Sequence, residues 1–277
     1  MLWLGLALMC GAVEPAVDAS LEVDRLKVEA TVATLDNGMR VILEQQDRTD
    51  VMAVYLHVGV GSRDERDGER GMAHLFEHLM FEGSEHAAGN TYDELLTAAG
   101  GDNNASTSED ETDYEVSLPS GALELALFLE SDRLGYLPAG LTQAALDNQK
   151  DVVLEERARD YGAGHGRDTD ALTHLLFVEG HPYHIPAFGT VSDVRGFTLE
   201  GIRAFHKRWY QPSNVILSIV GNVEPAHALK RVEHWFSDVP SGSVPDRQPP
   251  APPPVLQDDA FALLQDDAGR RTLYRTW

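Results

Sequence analysis

The chain has 277 residues and a formal net charge of −23, with 45 Asp and Glu against 22 Lys and Arg. That balance excludes the basic footprint a nucleic-acid binder needs and opposes docking on anionic lipid. It suits a soluble exported protein and permits attraction of basic peptides, while the length and apolar content suffice for one large domain or two small ones.

At the start, residues 2–13 form an apolar run followed by small residues, with Val17 and Ala19 spaced as at a secretory cleavage site. The run is short for a membrane span, and it lacks the positive residues that usually precede a signal core. The segment reads as a signal peptide over residues 1–19, which implies a mature N-terminus near Ser20 and a periplasmic or secreted protein without a stable membrane span. Cys10, the only cysteine, lies in this segment. The mature chain then has neither disulfides nor a thiol nucleophile.

Residues 30–46 read as a hairpin turning at Asp36-Asn37-Gly38. A second strand covers 54–60 and is broken by Gly61-Ser62-Arg63-Asp64. A helix is expected over 72–81. Another starts at Thr91, where Thr91-Tyr92-Asp93-Glu94 has the capping-box pattern, and stops at Gly100-Gly101. The polar stretch 103–118 alternates only partly and reads as an edge strand. Helices follow at 122–134, 142–160 and 199–209. Residues 215–220 form a buried strand, and Pro225 opens a last helix carrying Leu229, Val232, Trp235 and Phe236.

Hairpins mixed with helices favour an α+β fold, with a mixed or antiparallel sheet packed with helices, over a doubly wound parallel one. The main domain spans residues 20–240. A Pro-rich, semi-rigid linker covers 241–255, and residues 256–277 read as the start of a second domain.

The chemistry concentrates in His74-Leu75-Phe76-Glu77-His78. Two His four apart on a helix project from one face and are spaced to grip one metal ion. Glu77 lies beside that face, placed to take a proton without being a ligand. Two imidazoles leave zinc under-coordinated, so a third ligand comes from elsewhere. The flanking Met72, Leu75, Leu79, Met80 and Phe81 imply a mostly buried helix, where polar groups are costly unless paired or metal-bound.

The segment from Gly71 to Gly83 resembles the inverted-zincin signature of the pitrilysin (insulinase) family of zinc peptidases, which includes the mitochondrial processing peptidases. Gly100-Gly101, Asn104-Ala105 and Thr107 are similar to that family's substrate-edge segment, and Asp151-Val152-Val153-Leu154-Glu155-Glu156 to its distal ligand helix. His181-Pro182-Tyr183, Gly189, Trp209-Tyr210, Pro212, Asn214 and Val220-Gly221-Asn222 follow in the family's order. The resemblance covers residues 35–240.

It implies zinc held by His74, His78 and a glutamate of the distal helix, with Glu77 as general base for a zinc-activated water. Of the two candidates, Glu156 is preferred over Glu155. Val152 and Val153 share its stripe with Gln149, and that stripe is expected to point inward. Gln149 replaces the family's usual glutamate, a residue that tunes the site without binding zinc. His181 and His184 read as structural. The resemblance further implies an extended peptide substrate added along Asn104, Ala105 and Thr107, and a second homologous half that closes around it. The rival readings are a non-catalytic or partner-dependent subunit, against which the intact HxxEH motif counts, and a module using zinc only structurally. A structural site would want four protein ligands.

Overall fold

The computed structural model describes residues 29–162, 165–177, 179–243, 247, 260–265 and 272–275. The signal segment 1–19, most of the linker 241–255 and much of 256–277 lie outside the described residues. The parts of 256–277 that are described carry no helix or strand.

Alternation of apolar and polar residues builds one six-stranded sheet. Its strands are β1 (Thr31–Thr34), β2 (Arg40–Gln45), β3 (Val51–Val58), β4 (Asp102–Thr107), β5 (Thr112–Pro119) and β6 (Val215–Gly221), in the order β1-β2-β6-β3-β5-β4. The β2–β6 pair is parallel and every other pairing antiparallel, so the sheet is mixed as expected. Gly38, at φ 91°, supplies the left-handed residue of the first hairpin turn.

One face of the sheet is dry. Met52, Val54, Leu56 and Val58 of β3, and Tyr114, Val116 and Leu118 of β5, are buried there. Each such aliphatic side chain contributes about 1.5–3 kcal/mol by leaving water. Covering that face are α1 (Met72–Leu79), α2 (Thr91–Ala98), α3 (Leu123–Gly140), α7 (Leu199–Trp209) and α8 (Pro225–Phe236). The long α4 (Gln143–Gly162) packs on α1 and is followed by α5 (His165–Leu176) and α6 (Val191–Gly196). Among the described residues no helix covers the opposite face of the sheet.

Several expectations need correction. Residues 103–118 are not one edge strand but the hairpin β4–β5, in which only β4 is the edge. The Ser108–Glu111 turn is closed by the Ser108 hydroxyl, which receives the backbone N–H of Asp110 and Glu111. The capping box at Thr91 does not form. Asn90 holds the cap position, and the Thr91 hydroxyl instead donates to the Ala88 carbonyl. The strand placed at 54–60 begins at Val51 and ends at Val58. The helix read as ending near residue 134 continues through Pro138 to Gly140, and α5 and α6 were not foreseen. Residues 199–209 and the Pro225 start match the expected bounds.

His206 of α7 is a core histidine. Its ring lies flat against Tyr210, and its Nε2 sits 2.8 Å from the Leu134 carbonyl, which fixes the neutral Nε2–H tautomer as donor. Burial lowers its pKa from the ordinary 6.5, only partly opposed by that hydrogen bond. The unfolded chain therefore takes up a proton here that the folded chain refuses. This contribution to stability is complete above about pH 6.5 and is lost as pH falls below it. His206→Gln is expected to flatten the decline of unfolding free energy between about pH 7 and pH 5, measured by urea denaturation. An unchanged slope would mean that the folded protein carries His206 protonated.

Candidate metal centre

α1 is apolar on nearly every side. Met72, Ala73, Leu75, Phe76 and Leu79 are buried, and Phe76 packs on Tyr210 at a ring separation of 4.2 Å. The remaining face carries His74, Glu77 and His78. The helix start is fixed from two directions. Gly71, at φ 94°, admits no side chain, because a Cβ there would meet the Phe188 carbonyl at 2.7 Å. The buried Glu65 carboxylate accepts the backbone N–H of Gly71 and of Ala73, each at 2.8 Å. Burial pushes the Glu65 pKa up to about 8, against the pull of those two donors. Phe188 sets its ring edge-on to His74 at 4.8 Å.

Packing of α4 against α1 brings the third group in. Glu156 Oε2 lies 3.7 Å from His74 Nε2 and 3.3 Å from His78 Nε2. Ligands held 2.0–2.2 Å from a tetrahedral zinc stand roughly 3.3–3.6 Å apart, so the two distances from Glu156 are close to what such an ion requires, and the three ligand atoms all lie within 4.8 Å of one another. Desolvation, with the neighbouring His78 adding to it, lowers the His74 pKa to about 3, which leaves a neutral imidazole suited to ligation. The donor set therefore fits zinc.

Glu155 is exposed, while Glu156 lies beside the two imidazoles. One premise of that preference fails: Val153 is fully buried, but Val152 is 38% exposed. The inward stripe of α4 is thus Leu146, Gln149, Val153 and Glu156, with Val152 on its flank.

Gln149 is buried and bridges two groups. Its Oε1 lies 3.2 Å from His78 Nδ1, and its amide donates to Glu82. The amide orientation set by Glu82 makes Oε1 the acceptor, so His78 carries its proton on Nδ1 and turns Nε2 toward Glu156. Such support behind a ligating His fixes both its tautomer and its ring orientation.

Glu77 is half-buried and receives a hydrogen bond of 2.5 Å from the Thr107 hydroxyl. Burial raises its pKa, while the Thr107 bond lowers it. The three residues expected to meet substrate sit differently on β4. Asn104 is exposed on the open face, Ala105 packs against the core, and Thr107 holds Glu77. Beneath Glu77 the Tyr114 and Tyr210 hydroxyls are 2.7 Å apart, and burial raises both pKa values. His181 and His184 serve structure, accepting the Tyr183 N–H and bonding the Phe177 carbonyl respectively. Their loop packs on residues 62–64 and on α5. Glu65, Glu82 and Phe188 were given no role from sequence: Glu65 and Phe188 lie outside the helix that carries the HxxEH segment, and Glu82, although four residues after His78, lies beyond the end of α1 at Leu79.

Comparison with known proteins agrees with this architecture. The family model described as Insulinase (Peptidase family M16) matches residues 40–166, and that described as Peptidase M16 inactive domain matches residues 196–272. The chain belongs to the insulinase, or pitrilysin, family of peptidases. It is 34% identical over 208 residues to "Zinc protease PqqE" of Helicobacter pylori, covering 74% of this chain and 46% of that protein. It is 30% identical over 224 residues to "Probable zinc protease PqqL" of Escherichia coli, covering 77% of this chain and 24% of that one. The crystal structure of the first half of the periplasmic protease PqqL superposes with a TM-score of 0.73 at 28% identity, covering 79% of this chain and 48% of that one. The chain thus spans about half, or less, of the length of these relatives. Among the described residues no helix is long and apolar enough to cross a membrane.

The cap on α1 gives a direct test of how the site is held. Glu65→Ala removes the acceptor of two buried N–H groups. It is expected to lower the unfolding free energy by about 2 kcal/mol or more, read by urea denaturation. A loss within experimental error would show that α1 is held by its apolar packing alone.

Proposed function

We propose that this chain is the zinc-bearing half of a metalloendopeptidase that cleaves extended peptides or small unfolded proteins. The observation that carries the reading is the convergence of His74, His78 and Glu156 at ligand spacing, with the half-buried Glu77 beside them. The naming of its relatives as zinc proteases supports the same chemistry.

In this reading His74 Nε2, His78 Nε2 and Glu156 Oε2 hold zinc. When bound, the ion supplies Lewis-acid polarisation of the scissile carbonyl and makes a coordinated water more acidic. Glu77 accepts a proton from the attacking water and returns it to the leaving amine. A raised pKa suits both halves of that transfer, and the Thr107 hydroxyl holds the carboxylate in one orientation. The substrate lies along the outer edge of β4, beside Asn104, Ala105 and Thr107, and its backbone pairs with the strand. Recognition through backbone hydrogen bonds implies broad sequence tolerance. A second homologous half, in the same longer chain or in a partner subunit, closes over the peptide. The relatives' greater length supports that arrangement. An exported, periplasmic location is supported by the apolar leader and by the periplasmic PqqL.

Two outcomes test the assignment. His74→Ala or His78→Ala is expected to remove the zinc that survives desalting, and Glu156→Gln to weaken it far more than Glu155→Gln in a chelator competition. The reverse ranking would move the ligand to Glu155. In an assembly of this chain with its second half, shown first to cleave an extended peptide and to be stopped by a chelator, Glu77→Gln is expected to keep its zinc and fold. It should lose roughly a hundred- to ten-thousand-fold in turnover. Full activity in zinc-loaded Glu77→Gln would refute the mechanism.

A further inference from the structure

The open face of the sheet carries a second group of metal-ligating side chains, separate from α1 and α4. His57 of β3 stands directly across from Asp113 of β5, and its Nδ1 lies 2.8 Å from Asp113 Oδ1 and 3.9 Å from Glu111 Oε2. One ligand atom from each of the three lies within 4.8 Å of the others. None is deeply buried; the side chains are 29%, 13% and 47% exposed for His57, Asp113 and Glu111. The site is thus open to solvent ions while two of its three members are anchored on paired strands.

We propose that His57, Asp113 and Glu111 form a second zinc site, weaker than the first, that ties the β4–β5 turn to β3. His57 Nδ1 now donates its proton to Asp113 Oδ1, so an ion that takes Nδ1 as ligand displaces that proton to solvent. The neutral imidazole and two carboxylates then present two negative charges to a divalent ion, and mixed nitrogen and oxygen donors suit zinc. The spacing needs little change. The His57–Asp113 pair must open slightly and Glu111 must swing inward, and Glu111 sits on a turn with its side chain half-exposed. Three protein ligands leave a position for water, which matches a readily exchanged ion rather than a closed structural one. Arg247, whose charge is felt at His57, donates to both carboxylate oxygens of Asp64 and to the Asp110 carbonyl, so its charge is already partnered. Tyr55, Ser106 and Glu115 are polar neighbours on the same face, Ser106 paired directly with Asp113.

The location gives such an ion a mechanical consequence. Glu111 ends the turn that begins after Thr107, and Thr107 is the residue whose hydroxyl holds Glu77. An ion binding Glu111 to His57 and Asp113 restrains that turn from the open side of the sheet.

Equilibrium dialysis of the whole chain against zinc, with metal counted by elemental analysis and folding checked by circular dichroism, tests this. The parent should reach two equivalents. The His74→Ala/His78→Ala variant should keep the weaker one, and His57→Gln should lose only that one. Glu111→Gln changes an exposed turn residue and cannot disturb the strands. It should weaken the second equivalent by about tenfold or more, since losing a ligand costs no less than losing its hydrogen-bonded support. Saturation of the parent at one equivalent would overturn the proposal. So would a second equivalent that survives His57→Gln combined with Asp113→Asn, or one that Glu111→Gln leaves unchanged.

Discussion

The contact between α1 and α4 is the constraint on which the candidate centre depends. A helix buried on nearly all sides has no freedom to rotate, so the direction of its single polar face is set by Leu75, Phe76 and Leu79. That face would be costly against an apolar neighbour. α4 meets it with Gln149 and Glu156, and buries Leu146 and Val153 on the same stripe. Packing and polar matching are therefore achieved by one helix pair. Burial also keeps the His74 imidazole neutral and raises the pKa of the Glu77 carboxylate.

Much of this was legible in the sequence because it follows from local periodicity. His74 and His78 share a face by their four-residue spacing, and the α+β character follows from hairpins interleaved with helices. The choice of Glu156 over Glu155 followed from a seven-residue stripe through Gln149. Its second premise was too generous: positions three and four apart share a stripe only approximately, and Val152 falls on the exposed side. What local pattern could not supply was pairing between distant segments. Asn103 to Leu118 looked like one strand because its turn, Ser108 to Glu111, contains no glycine. It closes through side-chain to backbone hydrogen bonds of Ser108 instead. Thr91 had the composition of a cap, but the chain enters α2 one residue earlier, at Asn90. Glu65 is six residues from the N–H group it caps at Gly71, outside any capping motif.

The hairpin β4–β5 links the two faces of the sheet. Pairing places Ala105 with Tyr114 and Thr107 with Thr112 on the helix side, and Asn104 with Glu115 and Ser106 with Asp113 on the open side. Only alternate residues of β4 can therefore reach the centre. Thr107 is the one that does, and it meets Glu77 rather than presenting its hydroxyl outward. A peptide added to the β4 edge would have the same alternation imposed on it. Half of its side chains would face α1, and half would face the acidic positions Asp102, Glu115 and Asp113. The strongly negative charge of the chain is thus expressed beside the proposed substrate edge as well as over the general surface.

The substitution at Gln149 shows how the site balances charge without a second carboxylate in contact with a His. A glutamate there, as the family resemblance implies, would place a negative charge directly on His78 Nδ1. In this chain the contact is a neutral amide, and the carboxylate stands one hydrogen bond further out, on Glu82. The amide transmits the geometry fully, because Glu82 accepts from its nitrogen and so forces its oxygen toward His78. It transmits the charge only weakly, because Coulomb attraction falls with distance. Among the described residues Glu77 and Glu156 are the carboxylates set against the two imidazoles, and two ionised carboxylates match the charge of one divalent ion. A third carboxylate in contact would exceed it. The orientation of His78 is thereby preserved.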